Sequence, residues 1–200
     1  MVVFKATNKK MECTLGQGTY QYQLGVPATA DSAKCARRGM HACEYIIDCT
    51  NYYPLDGKNR FFMASATGSI DEDGTDSRIA CESLTLTKEL TVKDMVQQAL
   101  LYMVKHPDRE WVRTGRKVDI KKDKAQGNGN GIVIARGRYP VACGEKGDVL
   151  GFLRETTPGW FTAARACVVD GERIRAGVWY MVSLEGEIVE ADEEEKTDEG

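Results

Sequence analysis

Recurring glycines divide the second half of the chain into short segments of regular structure. Between residues 131 and 190 they separate short apolar runs, such as 132–135 and 149–153, and two longer runs follow at 162–169 and 178–183. The nine glycines lie at positions 131, 137, 144, 147, 151, 159, 171, 177 and 186. Short strands joined by tight turns are typical of all-β modules. We therefore predict a small, mostly β module over residues 131–190.

An amphipathic pattern ahead of this region predicts the clearest helix of the chain. Thr91 is suited to the N-cap, and Asp94 stands at the third helical position of a capping-box variant. His106 and Pro107 end the pattern. The apolar stripe comprises Met95, Val96, Ala99, Leu100, Met103 and Val104. Spacings of three and four residues indicate a face that packs against a core, so we place this helix at the end of a first domain, residues 1–107.

The first domain also contains several predicted strands and a second predicted helix. The strand segments, rich in apolar or alternating residues, are 2–6, 20–24, 40–43, 59–70 and 78–86. Aromatic and apolar residues between 44 and 53 have spacings compatible with one helical face, and Pro54 would end that helix. These patterns predict an α+β fold: an N-terminal mixed sheet with two helices, followed by a small mostly β C-terminal module.

Two further segments have a composition unlike that of a packed domain. Residues 108–130 are basic and end in a run rich in glycine and asparagine, which is typical of a connector between domains. Their cations would either be solvated or attract phosphates or an acidic partner. Residues 191–200 are dominated by acidic side chains and predict a disordered tail.

Charge and composition exclude several classes of protein. A net charge of −3 gives no reason to expect nucleic acid as the partner. No apolar run approaches the roughly 20 residues of a membrane-spanning helix, and the N-terminus lacks the apolar centre of a secretory signal. Seven cysteines without a Cys-x-x-Cys pair fit neither a zinc knuckle nor a disulfide framework. These features predict a cytoplasmic protein without a membrane partner.

Residues 38–54 form the segment richest in side chains suited to chemistry or recognition. They include one of the two histidines of the chain, His41, and three tyrosines. A nucleotide-like ligand needs aromatic faces for stacking and a cation for phosphate, and sites for such ligands combine both. The candidate ligand-binding residues are Lys5, His41, Tyr45, Tyr52, Tyr53, Arg60 and Phe61. The alternative is that the tyrosines pack a helix on the sheet, with their hydroxyl groups at the rim.

The residue spacing gives less support to nucleophilic catalysis or metal binding in this segment. His41 and Cys43 would point to the same face of a strand, about 7 Å apart at the backbone, which is awkward for a Cys-His nucleophile. If the two residues serve only the fold, His41 forms a hydrogen bond with a neighbouring carbonyl group and Cys43 packs in the core. Zinc ligation by Cys35, His41, Cys43 and Cys49 lacks the usual close pairs, so we predict no metal site.

The motif also carries a resemblance to known proteins. It comprises Phe4-Lys5, Cys35, Gly39-Met40-His41-Ala42-Cys43, Asn51-Tyr52-Tyr53-Pro54, Arg60-Phe61-Phe62 and Gly68. Over about residues 1–106 this layout resembles a group of uncharacterised phage and prophage proteins. The resemblance implies a phage-derived protein that acts in the cytoplasm of an infected or lysogenic bacterial host. It would bind a nucleotide-like host molecule or a host protein in host takeover or anti-defence, without catalysis or a cofactor. A virion or assembly role, with homo-oligomers formed through the β module, is the structural alternative.

The same layout faintly resembles the ADP-ribosyltransferases, which implies an enzymatic alternative. In that pattern Lys5 lies near the NAD anchor, His41 near the Tyr or Ser position, and Glu82 or Glu89 near the catalytic acid. NAD would then be the substrate. Lysine departs from the arginine or histidine of that family, because it is a point charge without the fork geometry of arginine. Whether the chain is an enzyme stays open at this point.

Overall fold

The computed structural model describes residues 1–15, 18–115 and 117–191, and these residues are mostly β, with 51% in strands and 11% in helices. The chain divides into two compact units, residues 1–91 and 92–200. None of the helices in the described ranges is long and apolar enough to cross a membrane.

The first unit is built on an antiparallel sheet. Its strands are β1 Val2–Asn8, β2 Glu12–Cys13, β3 Tyr20–Gln21, β4 Pro27–Thr29, β5 Met40–Cys43, β6 Asn59–Glu72 and β7 Arg78–Leu90. The order in the main sheet is β4-β7-β5-β1-β6, and every pair in it is antiparallel. Because β6 also pairs with β7, the strands β7, β5, β1 and β6 close into a ring. β2 and β3 form a separate two-stranded ribbon.

The core of the first unit explains why these segments become strands. One cluster of buried side chains comes from β1, β4, β5, β6 and β7, together with Tyr22. In β6 the side chains of Phe62, Ala64 and Ala66 are buried at alternate positions, which is the period of a half-buried strand. Between β5 and β6 lies a single 3-10 turn, Ile46–Asp48, followed by a one-turn helix, α1, Cys49–Tyr52.

The second unit combines one helix with a seven-stranded mixed sheet. Its elements are α2 Val92–Lys105, β8 Arg113–Gly115, β9 Val118–Gln126, β10 Ile132–Cys143, β11 Val149–Thr157, β12 Trp160–Val168, β13 Trp179–Val182 and β14 Ile188–Glu190. The order β12-β11-β10-β13-β14 is extended by β9, which pairs with β10, and by β8, which pairs with β9. β10 runs parallel to both β9 and β11 and antiparallel to β13. α2 packs on β10, β11 and β12.

The predicted α+β fold class is wrong. The N-terminal sheet is antiparallel throughout rather than mixed, and the mixed sheet belongs to the second unit. The helix predicted for residues 44–53 is reduced to a 3-10 turn and α1, and the five consecutive residues 45–49 are all buried, which is not the alternation of a one-sided amphipathic helix. The C-terminal β region is not small, since seven strands lie between residues 113 and 190.

The predicted domain limits also differ from the structural division. α2 was expected to close the first domain at residue 107, but its apolar stripe packs on strands of the second unit. The predicted connector, 108–130, contains β8 and β9, which are part of the sheet. Within it Arg116 lies outside the described residues, as does the predicted acidic tail apart from Ala191. The strands predicted at 2–6, 40–43, 59–70 and 78–86, and the helix after Thr91, are confirmed.

Candidate functional site

The first unit contains a cavity of about 890 Å³, within the range of small-molecule sites. We call it the Lys5 cavity. Its walls come from β1, the segment around β2 and β3, residues 36–43, α1 with Tyr53, and the start of β7. The residues that carry its chemistry are Lys5, Cys13, Tyr20, Tyr22, Arg37, Arg38, His41, Tyr52, Tyr53 and Arg78. The cavity opens to solvent, since the side chains of Leu15 and Tyr20 on its wall are exposed.

The charge of this lining has one sign. Four cationic residues line the cavity, Lys5, Arg37, Arg38 and Arg78, and no aspartate or glutamate is among the described lining residues. Of the four, Arg78 forms an ion pair with Asp73, which lies outside the lining. Arg37 and Arg38 are exposed. Because charges of one sign around a low-dielectric cleft concentrate the field, the cavity attracts anions.

Lys5 is the most buried of these cations. It lies on β1 and is 6% exposed. Its Nζ donates a hydrogen bond to the carbonyl oxygen of His41 at 2.7 Å and lies 3.6 Å from Sγ of Cys13 and 5.4 Å from the ring centre of Tyr22. No carboxylate of the described chain pairs with it. A buried ammonium group is costly without a compensating negative charge, so this position favours an anion in the cavity.

His41 places an imidazole at the same wall. It lies on β5, opposite Ala80 of β7. Burial, followed by the charges of Lys5 and Arg78, lowers the pKa of His41, while a backbone hydrogen bond at Gly39 and the charge of Asp73 act against this. The ring is therefore neutral near pH 7. Its Nε2 atom is buried and has no hydrogen-bond partner among the described residues.

The backbone before His41 depends on Gly39. This glycine has a φ of +99°, a conformation that side-chain-bearing residues rarely adopt. A Cβ atom there would stand 3.0 Å from the carbonyl oxygen of Cys81 and 3.1 Å from that of Ser32. Gly39 thus lets the chain turn tightly against β7 and delivers His41 to the cavity wall.

Two tyrosines at the end of α1 form another part of the wall. The hydroxyl group of Tyr52 donates to Oδ2 of Asp76 at 2.7 Å, and the guanidinium group of Arg78 lies 5.5 Å from its ring centre. Burial and the hydrogen bond to Asp76 raise the pKa of Tyr52. The hydroxyl oxygen of Tyr53 accepts a hydrogen bond from the backbone nitrogen of Thr14 at 3.1 Å. Both rings are thereby fixed in position beside the cavity.

The structure brings together four of the seven predicted ligand-binding residues and places three elsewhere. Lys5, His41, Tyr52 and Tyr53 line the cavity. Tyr45 and Phe61 are buried at 1% and 3% exposure and are not part of its lining. Arg60 is also outside it and forms a two-point ion pair with Glu89, at 2.8 and 2.7 Å.

The acids of the enzymatic alternative also lie away from the cavity lining. Glu89 is held by Arg60, and Glu82 accepts a hydrogen bond from the backbone nitrogen of Ser69 at 3.1 Å. Of the predicted catalytic set, only Lys5 and His41 share the cavity.

Thiol and metal chemistry at the motif cysteines finds little support in the geometry. The hydrogen bond with Cys49, together with burial, raises the pKa of Cys43 far above its usual value, so this thiol is not a nucleophile near neutral pH. Across the described ranges no group of three or more His, Cys, Asp and Glu side chains is arranged to hold a metal ion.

Sequence reasoning missed several cavity residues, of which Cys13 is the most informative. The chain turns back after β1, where the backbone nitrogen of Met11 donates a hydrogen bond to the carbonyl oxygen of Asn8, and this places Cys13 on β2 beside Lys5 on β1. Arg37 and Arg38 were not among the predicted ligand-binding residues, and Arg78 reaches the cavity only because β7 pairs with β5.

Comparison with known proteins identifies a similarity over the first half of the chain. Residues 1–98 match a family model described as a domain of unknown function (DUF7666), and this range includes every residue of the Lys5 cavity. A search of curated proteins and a search of solved structures both found no match.

Proposed function

We propose that the first unit binds a small nucleotide-like anion in the Lys5 cavity and acts by binding, without catalysis. The observation that supports this most is the composition of the lining, which has four cationic residues, one of them paired with Asp73, four tyrosines and no described aspartate or glutamate around about 890 Å³. Such a lining favours phosphate oxygens through its cations and a flat base through its rings. A volume of this size suits a small molecule better than the surface of a host protein.

The contributions of individual side chains follow from their position. Arg37 and Arg38 are exposed and can turn toward a phosphate, which a guanidinium group contacts through two parallel hydrogen bonds. Lys5 supplies a fixed charge inside the cavity. Nε2 of His41 is buried and has no partner in the described chain, so it could bond a polar atom of the ligand after a small movement of the ring.

Binding is favoured over ADP-ribosyl transfer by the position of the acidic residues. A catalytic acid must lie within hydrogen-bond reach of the reacting group, and neither Glu82 nor Glu89 lines the cavity. The resemblance to phage and prophage proteins leads us to propose that the ligand is a host nucleotide captured in the bacterial cytoplasm.

Thermal denaturation tests this proposal with a matched set of ligands. Adenosine, inorganic phosphate and AMP separate the base, the phosphate and their combination, and dinucleotides and NAD extend the set. We expect a nucleotide to raise the melting temperature more than either of its parts, and added salt to weaken the effect. If phosphate and AMP act equally, the cavity is only an anion site. Covalent transfer of label from NAD to protein would support the enzymatic alternative instead.

A further inference from the structure

Cys13 differs from the other cysteines in its exposure and position. Of the seven, Cys13 and Cys167 are partly exposed and the remaining five are buried. Cys13 is also part of the wall of the Lys5 cavity.

The neighbours of Cys13 favour its ionised form. Nζ of Lys5 lies 3.6 Å from Sγ, and Lys5 itself is buried without a carboxylate partner in the described chain. Burial tends to raise the pKa of the Cys13 thiol, but the charge of Lys5 and hydrogen bonds involving Tyr53 and Leu15 outweigh it, so this pKa lies below its usual value. The Lys5 ammonium group, 3.6 Å away, would stabilise a thiolate at Cys13.

Cys167 provides a comparison within the same chain. It is also partly exposed, but burial raises its pKa to about 11. Since the thiolate is the attacking form of cysteine, we expect these two partly exposed thiols to differ in reactivity because of their surroundings.

We propose that Cys13 is a site of reversible modification by an anionic low-molecular-weight disulfide. The Cys13 thiolate attacks one sulfur of the disulfide, a new sulfur–sulfur bond forms to Cys13, and the original bond breaks. The bonding electron pair leaves with the second sulfur as a thiolate anion. The incoming disulfide is the oxidant and is itself reduced, so the exchange needs no further reagent.

The lining of the cavity selects this chemistry. Disulfide exchange requires no general acid, because the departing thiolate is itself a stable anion, and the described lining offers no carboxylic acid. The cations that line the cavity would hold the carboxylates of an anionic disulfide and stabilise the departing thiolate. The adduct would fill part of the cavity and exclude other ligands. This modification shares the cavity with the proposed function but does not depend on it.

Mass spectrometry tests the proposal on the full-length protein. Glutathione disulfide at pH 7.5 should add one glutathionyl group, which peptide mapping places at Cys13, and dithiothreitol should remove it. Cys13 should react at least about tenfold faster than Cys167, because far more of it is thiolate. Cys13→Ser should abolish the fast adduct. Lys5→Met should slow it several-fold, because the thiolate loses its neighbouring positive charge, and Lys5→Arg should restore much of the rate.

Alkylation separates the effect of charge from that of accessibility. Iodoacetate is anionic and iodoacetamide is neutral, so their rate ratio at Cys13 measures the attraction of the cavity for anions, with Cys167 as the reference. We expect a higher ratio at Cys13, falling with added salt. The proposal would be overturned if Cys13 and Cys167 had equal glutathionylation rates and equal iodoacetate-to-iodoacetamide rate ratios. Preferential glutathionylation of any other cysteine would also overturn it. These readouts use no nucleotide, so they stand or fail separately from the proposed function.

Discussion

The ammonium nitrogen of Lys5 lies 2.7 Å from the carbonyl oxygen of His41. This hydrogen bond joins β1 to β5 and holds a cation inside the cavity without an acidic partner in the described chain. A carbonyl oxygen satisfies one of the three donors of the ammonium group but not its charge. The charge therefore remains available to an anionic ligand or to the thiolate of Cys13.

Gly39 should be required for the backbone that presents His41. We expect Gly39→Ala to lower the free energy of unfolding by about 2–4 kcal/mol, from strain at positive φ plus contacts with two carbonyl oxygens. Gly57→Ala is the matched control, because Gly57 also has positive φ but has open space around its Cβ position, and it should cost about 1 kcal/mol. Urea denaturation of both variants measures the difference. Equal losses would show that the close approach at Gly39 is unimportant.

His41 should make stability depend on pH in a defined direction. Its pKa is lower in the folded protein than the unfolded value of 6.5, so below that value the unfolded chain binds the proton more readily. Stability is therefore full above about pH 6.5 and decreases as the pH falls through the folded-state pKa. His41→Gln should remove this part of the pH dependence, whereas His106→Gln should retain it. NMR titration of the two histidine rings measures the shift directly, and a His41 midpoint at or above 6.5 contradicts the prediction.

The ion pair of Arg60 and Glu89 should contribute little to stability. Both side chains are substantially exposed, at 32% and 47%, and pairs of this kind contribute about 0–1 kcal/mol. We expect Arg60→Met to change the free energy of unfolding by less than about 1 kcal/mol and to leave ligand binding unchanged. Calorimetric titration of this variant tests the second point. Lost affinity would return Arg60 to the binding residues that the sequence predicted.

Asp148 should be essential to the second unit. Its carboxylate is fully buried and accepts hydrogen bonds from the backbone nitrogens of Gly129, Gly131 and Glu145, each at 2.8 Å. Replacing it by alanine leaves these buried donors unpaired, which should cost about 3 kcal/mol or more. Asp108→Ala, at an exposed position, should change stability by less than about 0.5 kcal/mol. Urea denaturation distinguishes the two, and a small loss for Asp148→Ala would contradict this role of the carboxylate.

Local patterns predicted individual elements better than their assembly. The strands β1, β6 and β7 and the helix α2 follow from side-chain period and capping, which are properties of neighbouring residues. The pairing of β6 with β7 to close the ring, and the packing of α2 on β10, β11 and β12, join segments far apart in sequence. No single segment carries that information, and the fold class was wrong for this reason.

The cavity shows the same difference between local sequence patterns and long-range assembly. His41, Tyr52 and Tyr53 were identified because they crowd one short segment, and Lys5 because a cation was sought for a phosphate. Tyr45 belongs to the same segment but is buried at 1% exposure, because a turn with one-turn helix α1 directs neighbouring residues to different sides. Arg78 became a cavity residue only because β7 pairs with β5, and Cys13 because the chain turns back after β1.

Isothermal titration of the most stabilising nucleotide tests the central claim most directly. Wild-type protein, the double variant Arg37→Ala/Arg38→Ala and the off-cavity control Arg60→Met should be compared at one ionic strength. The account predicts a single site in the wild type, unchanged affinity in Arg60→Met, and affinity at least about tenfold weaker in the double variant, since each charged hydrogen bond contributes about 1.5–3 kcal/mol. Equal affinities in all three proteins, or no binding of any nucleotide to the wild type, would contradict it.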